Sequence, residues 1–450
     1  MKVIVLNGSP KGAYSITLQT IRYLEKKFPE DSFEVLHVGQ RIKALEKDFS
    51  PALEAIAGAE ALVFSYPVYT FIATSQLHRF IELLKEHQVD LTGKVATQLT
   101  TSKHFYDVTA HRYIQDNCAD LQLPYIRGLS ADMDDLLSEK GQKEAESFWK
   151  HFKWQAEKGF YEPVTGPQKP FMGIPATVPE TSEEEKPGDV VIIADLRDGD
   201  PELKAMVDRF RAKLPYATRV VDIRQYPFRG GCLGCFRCAA SGKCVYTDGF
   251  DSFLREKIQT AQAMVYAFRI SDHSMGARFK MYDDRQFCNG HRTVTIGMPV
   301  AYLIAGPYSQ EANLQTIIEG RAQVGSNILS GIATNEADTD AAIDRLAEQL
   351  SYSLEHKNTG PQNFLGVGGM KIFRDLIWQM QGLMREDHRF FKSHSQYDFP
   401  QKKWPRMMAM YLVGGLMGNE KLQKKMGSKM NEGMLMPYAK LFEKLDKEKG

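Results

Sequence analysis

Two doubly wound α/β units in tandem, followed by a helical extension, are what this 450-residue sequence predicts. Three observations carry the expectation. Short apolar β-rich runs alternate with helical patterns over residues 1–160, the same order restarts at residue 189, and a proline-rich stretch separates the two. Fully apolar strands alternating with helices mark a parallel sheet covered on both faces. A repeated element order points to a duplicated unit, and this chain length suits two or three domains. The expected boundaries are 1–160 and 189–357 for the two units, 161–188 for the linker and 358–450 for the extension.

In the first unit the strands fall at residues 2–6 (KVIVL), 33–38, 61–65 (ALVFS), 95–100 and 124–126. Helices are expected at about 15–27 and 74–85, with a long closing helix at 139–158. The linker carries prolines at 163, 167, 170, 175, 179 and 187 and the acidic run 183–185. Helix and sheet interior both exclude such a segment, which reads as a semi-rigid spacer. In the second unit, residues 189–196 (DVVIIADL), 219–223, 263–268 (AMVYAF) and 300–305 are strand-like. Helices are expected at 202–213, 250–262, 309–320 and 341–357.

Composition excludes several classes. The net charge is +1, so no global field points to nucleic acid. No apolar run approaches the roughly 18 residues of a membrane span, and the N-terminus runs into a strand pattern without a secretory h-region. A cytoplasmic setting is expected. There a dense cysteine cluster is a metal or redox site sooner than a disulfide framework.

After the first strand comes Asn7-Gly8-Ser9-Pro10-Lys11-Gly12-Ala13-Tyr14-Ser15-Ile16-Thr17. Gly8 permits a tight turn. The hydroxyls of Ser9, Ser15 and Thr17, the loop amides through Lys11 and Ile16, and the helix N-terminus behind them can surround a phosphate. Neither the Walker pattern nor G-x-G-x-x-G is present. A hydroxyl-rich first β–α turn suits FMN, a mononucleotide without pyrophosphate, at the switch point of a doubly wound sheet. Pro67, Val68 and Tyr69 would form the second loop, with Tyr69 and Phe71 offering flat faces to an isoalloxazine. Thr100, Thr101 and Ser102 would close it at the end of the fourth strand.

The string G-S-P-x-x-x-x-S-x-T with P-V-Y after the third strand resembles the NADPH-dependent FMN reductase-like branch of the flavodoxin-like superfamily, over roughly residues 1–160. The resemblance implies a flavodoxin-like fold with an FMN site in this unit, and the repeated element order extends the expectation to two flavodoxin-like folds in tandem.

Cys232, Cys235, Cys238 and Cys244 lie within thirteen residues as C-x2-C-x2-C-x5-C, and only Cys118 and Cys288 lie elsewhere. Four thiolates in one loop suit either an iron–sulfur cluster or a structural zinc. Residues 189–357 resemble the iron–sulfur flavoprotein branch of the same superfamily, which carries a compact four-cysteine motif at this point. That resemblance implies a [4Fe–4S] cluster. The second unit departs from the family in its first loop, residues 194–200, where Asp195, Asp198 and Asp200 would repel a phosphate. Lys280, Asp284 and Arg285 form a family-like K-x3-D-R pattern that reads as structural. Cys118 reads as a core residue and Cys288 as an ordinary neighbour of that pattern.

Residues 361–450 hold 11 of the 19 methionines and 16 basic against 9 acidic residues, so they carry +7 and the rest of the chain −6. Helix is expected there, broken at residues 366–369, at Pro400 and Pro405, and at 414–415. Residues 363–378 would be a glycine-hinged helix capping the cofactor cleft. Residues 406–417, with Lys402, Lys403, Lys421, Lys424, Lys425 and Lys429 around them, suit packing, homo-oligomer contact or peripheral membrane contact. Asp387, His388 and His394 fit no metal spacing and read as solvent-exposed.

The leading expectation is a flavin-dependent oxidoreductase. FMN in the first unit would exchange electrons with a cluster in the second and with NAD(P)H or ferredoxin. The flavin would carry the chemistry, with no protein catalytic residue. A quinone or flavin reductase with structural zinc, and a non-catalytic scaffold with a decayed flavin site, are the alternatives.

Overall fold

The computed structural model describes residues 1–163, 171–180, 185–417, 435, 438–439 and 441–448. Pro167, Pro170, Glu183 and Glu184 of the expected linker, and Lys421, Lys424, Lys425 and Lys429 of the expected basic flank, lie outside the described residues.

The first sheet opens with β1 (Lys2–Asn7), whose apolar run is buried on both faces, and continues through α1 (Ile16–Lys27), β2 (Ser32–Leu36), α2 (Val38–Leu45), α3 (Ser50–Ala57) and β3 (Ala61–Pro67). It ends with α4 (Ser75–Glu86), β4 (Val95–Ser102), α5 (Asp107–Asp120), β5 (Leu129–Asp132) and the closing helix α6 (Glu139–Lys158). All strands are parallel, in the order β2-β1-β3-β4-β5. This is the flavodoxin-like strand order, with its crevice outside the carboxyl ends of β1 and β3. Local chemistry starts the helices where the sequence says: Ser15 caps α1 by accepting from the Leu18 amide, and Thr74 caps α4 by accepting from Leu77.

The fifth strand is not at 124–126. Pro124 has no N–H to give a ladder, and only Tyr125 forms a single bridge with Ala96. Regular pairing with β4 begins after Gly128, where a Cβ would collide with the Gln98 carbonyl.

The second sheet is built from β6 (Val190–Ala194), α7 (Pro201–Lys213), β7 (Thr218–Asp222), the short helices α8 (Arg237–Ser241) and α9 (Phe250–Phe253), and β8 (Ala263–Arg269). It continues with α10 (Gly276–Arg285), β9 (Pro299–Ala305), α11 (Ala312–Gly325), β10 (Ile328–Thr334) and α12 (Thr339–His356). Its order, β10-β9-β8-β6-β7, repeats that of the first sheet. The helix expected over 250–262 is one turn of α-helix followed by a π-helical turn, Leu254–Ile258. Strand β10, which sequence patterning missed, contains a register shift between Leu329 and Gly331.

Residues 1–390, with both sheets, form one compact unit, and residues 391–450 form another. Part of the expected linker packs along the second sheet: the Ile174 amide donates to the Asn335 carbonyl, and Arg209 to the Thr177 carbonyl. α13 (Phe364–Gln379) runs unbroken through its glycines. A Cβ at Gly366 would press on Gln323, and one at Gly369 on Val324 and Phe105. These glycines serve close packing on α11, not a hinge. α14 (Arg385–Ser393) follows, and α15 (Trp404–Met417) spans both the expected break at Pro405, which sits in its first turn, and that at 414–415. Every described side chain of α15 is exposed. Among the described residues no helix is long and apolar enough to cross a membrane.

Candidate functional site

One cavity in the 1–390 unit collects both sets of residues that the sequence singles out. Its walls include Ser9, Lys11, Ser15, Ile16, Thr17, Pro67, Val68, Tyr69, Thr101 and Ser102 from the first sheet's loops. They also include Cys232, Cys235, Cys238 and Cys244 from the second. Met133, Phe105, Phe236, Ile372, Phe373 and Leu376 add an apolar surface, so α13 does wall the cleft.

The phosphate-type loop is braced from below. Asn7 donates through Nδ2 to the Gly12 carbonyl at 2.9 Å and accepts the Ser9 amide at 3.2 Å, while Thr17 and Thr101 share a hydroxyl hydrogen bond of 2.6 Å. Thr100 is the expected residue that does not reach the cavity. It points to the opposite face of β4, where its hydroxyl meets His111 Nε2 at 2.8 Å, and burial pushes that imidazole down to about 4. Phe71 also turns away, packing on Tyr106 and Phe105 with ring centroids 4.2 and 5.1 Å apart.

The second sheet's own first loop is filled internally. Asp195 is fully buried where a phosphate would approach, and Arg224 (2.6 Å) and Arg197 (3.4 Å) neutralise it.

The two loop systems touch. Gly234, between the first and second cysteines of the loop, has φ +58°, and a Cβ there would strike the Tyr69 hydroxyl. A glycine is therefore required twice over, by backbone and by space. Gln76 of α4 donates to the Cys232 carbonyl at 3.4 Å. The K-x3-D-R pattern of α10 explains the register. Lys280 pairs with Asp284 and donates to the Tyr69 carbonyl at 3.0 Å. Asp284 accepts from the Thr70 hydroxyl at 2.9 Å and the Ser75 amide at 2.8 Å. Arg285 holds Asp248 at 2.7 Å and the Gly230 carbonyl at 2.9 Å, and lies 4.5 Å from the Tyr246 ring centroid. One helix thus grips the flavin-type loop with two side chains and the cysteine loop with the third.

All six cysteines are free thiols. Burial pushes Cys232 well up and Cys238 up to about 11, and nearby acidic groups add to both. Backbone amides face the sulfurs: Gly234 donates to Cys232 Sγ at 3.4 Å, and Gly290 to Cys238. Among the described residues no group of three or more His, Cys, Asp or Glu is gathered to hold a single metal ion. Cys118 is core, as expected, whereas Cys288 reaches the cavity wall with its thiol pushed up by burial to about 12.

Sequence reasoning missed one pair. Asp387 is not solvent-exposed but fully buried, and its Oδ2 lies 2.9 Å from Nδ1 of His291, a cavity residue. No local signal joins two residues so far apart in the chain.

Comparison with known proteins agrees with the first half of this picture. Residues 1–127 match the sequence profile of the NADPH-dependent FMN reductase family. No curated protein sequence matches. Among solved structures, an FMN-dependent NADH-azoreductase from Bacillus anthracis, in complex with FMN, is 12% identical, with 35% of this chain and 99% of that chain covered and a TM-score of 0.28. An NAD(P)H:quinone oxidoreductase from Methanothermobacter marburgensis is 14% identical, with 39% and 99% covered and a TM-score of 0.28.

Proposed function

We propose that this chain is a flavin-dependent oxidoreductase in which FMN and a [4Fe–4S] cluster share one cavity, with NAD(P)H or ferredoxin as electron partner. The observation that carries the reading is that hydroxyl-rich loop and four-cysteine loop line the same space. The FMN reductase profile over residues 1–127 supports the flavin half.

Ser9, Ser15 and Thr17, with the amides of their loop, would hold the phosphate at the N-terminus of α1. Tyr69 and Val68 would border the ring. When bound, FMN accepts two electrons together and releases them singly, which suits a one-electron neighbour. Cys232, Cys235, Cys238 and Cys244 would hold the cluster. They fit it as soft donors on one wall, with backbone amides directed at two sulfurs. Binding of the centre would release the protons of these thiols.

The test is anaerobic purification with assay of iron, acid-labile sulfide, zinc and FMN per chain. About four irons and one FMN are expected from the cluster's composition. Cys235→Ala should lose the iron and keep the flavin. Full iron content in that variant sinks the cluster, and protein without FMN sinks the flavin site.

A further inference from the structure

We propose that His291 is the proton donor of this cavity, and that it serves a flat apolar carbonyl acceptor of the quinone class; this rests on the reading of the cavity as a flavin site. His291 lies on the wall beside Phe287 and Cys288. Its backbone amide donates to Asp387 Oδ2 at 3.1 Å, and its Nδ1 lies 2.9 Å from the same oxygen. Asp387 has no exposed surface, and Arg292 stands 3.9 Å from its other oxygen. The imidazole is caged edge-on by Phe373, with centroids 4.9 Å apart, and by Phe287 at 5.7 Å. Ring position and the role of Nδ1 are therefore fixed. Nε2 has no hydrogen-bond partner among the described residues, on a side chain that keeps 13% of its surface exposed. A carboxylate-oriented imidazole with its second nitrogen free at a cavity is an arrangement that holds and delivers a proton.

The walls around it define the acceptor. Phe105, Phe236, Ile372, Phe373 and Leu376 offer apolar contact. A planar apolar ring carrying a carbonyl oxygen suits these walls and the Nε2–H of His291, in a cavity that Lys11, Lys103 and Arg285 also line. Reduction of a quinone to a hydroquinone takes two electrons and two protons. Hydride from the reduced flavin accounts for both electrons and one proton. The Nε2–H bond of His291 breaks as the O–H bond forms on the acceptor oxygen, the C=O π bond is lost, and water returns the proton to Nε2. Asp387 is a positioning residue: it keeps the Nδ1 proton, so that the one transferred is on Nε2.

The experiment compares wild type, His291→Gln, His291→Leu and Asp387→Asn with two acceptors. 2-Methyl-1,4-naphthoquinone needs protons, whereas ferricyanide takes electrons only. In His291→Gln, which keeps an N–H donor but no transferable proton, the ratio of quinone to ferricyanide turnover should fall about 100-fold. Quinone affinity of that variant, titrated by fluorescence quenching without an electron donor, should stay near wild type. His291→Leu should weaken quinone affinity several-fold. Asp387→Asn should lower the turnover ratio less than His291→Gln does. An unchanged ratio in His291→Gln, or equal loss with both acceptors, overturns the proposal. If the protein carries no flavin, the reading of the cavity fails separately. The quinone titration then decides by itself: weaker binding to His291→Leu supports the site, and equal binding removes it.

Discussion

Ser15 does two jobs with one hydroxyl. It caps α1 through the Leu18 amide at 3.4 Å and lines the cavity beside Thr17, whose own hydroxyl is oriented by Thr101. A hydrogen bond to a charged group contributes about 1.5–3 kcal/mol. The double variant Ser15→Ala, Thr17→Ala should therefore lose roughly 100-fold or more in FMN affinity, measured by quenching of flavin fluorescence. The lost cap should cost a further 1 kcal/mol or so of stability. Unchanged FMN affinity would remove the phosphate site from this loop. These hydroxyls were legible because a first β–α loop is local in sequence. Thr100 was misplaced for an equally local reason. Side chains alternate along a strand, so if Thr101 faces Thr17, then Thr100 must face the other way, toward His111. Asp387 and His291 lacked any such rule, since burial of one against the other is decided only by the packing of α14.

At the scale of elements, α4 and α10 cross-cap each other. Asp284 receives the Ser75 amide at the start of α4, and Glu82 receives the Ala277 amide at the start of α10, both at 2.8 Å. Lys280 and Asp284 are fully buried. Removing one partner of a buried ion pair leaves an uncompensated charge, so Asp284→Ala should cost about 3–5 kcal/mol in denaturant unfolding. Lys280→Met, Asp284→Ala should cost clearly less than the two single changes summed. Additive losses would show that the pair does not act as a unit. The K-x3-D-R pattern was visible in sequence, but not the partners of Lys280 and Asp284, which sit in the other half of the chain. Strand errors have local physical causes. β5 was placed too early because an apolar P-Y-I run looks like a strand, although Pro124 gives no donor and Gly128 is where close approach to β4 becomes feasible. β10 was missed because Gly331 and the register shift beside it break the alternation that marks a strand.

Over the whole 1–390 unit, the two sheets meet through buried charge as well as apolar surface. Asp272 from the second half is fully buried against His78, at 2.6 Å from Nδ1, and accepts the Tyr113 hydroxyl at 2.7 Å. Burial alone would raise this carboxyl, but His78 and Tyr113 hold it below the usual range. His273 next to it lies 3.1 Å from Asp120 of the first half and 3.1 Å from Glu311 of the second. Burial would lower its pKa, yet the two carboxylates outweigh burial and raise it from 6.5 to about 10. A group whose pKa rises on folding stabilises fully below its unfolded value and loses that contribution as pH climbs to the folded value. His273 therefore ties the halves together most strongly below about pH 6.5, and progressively less up to about pH 10. Lys85 also lies 2.6 Å from Asp120. His273→Gln should lower the urea midpoint relative to wild type most at pH 6, with the gap narrowing steadily toward pH 10. A gap independent of pH would show that the residue contributes by packing and neutral hydrogen bonds, and that the charge between Asp120 and Glu311 does not hold the halves together.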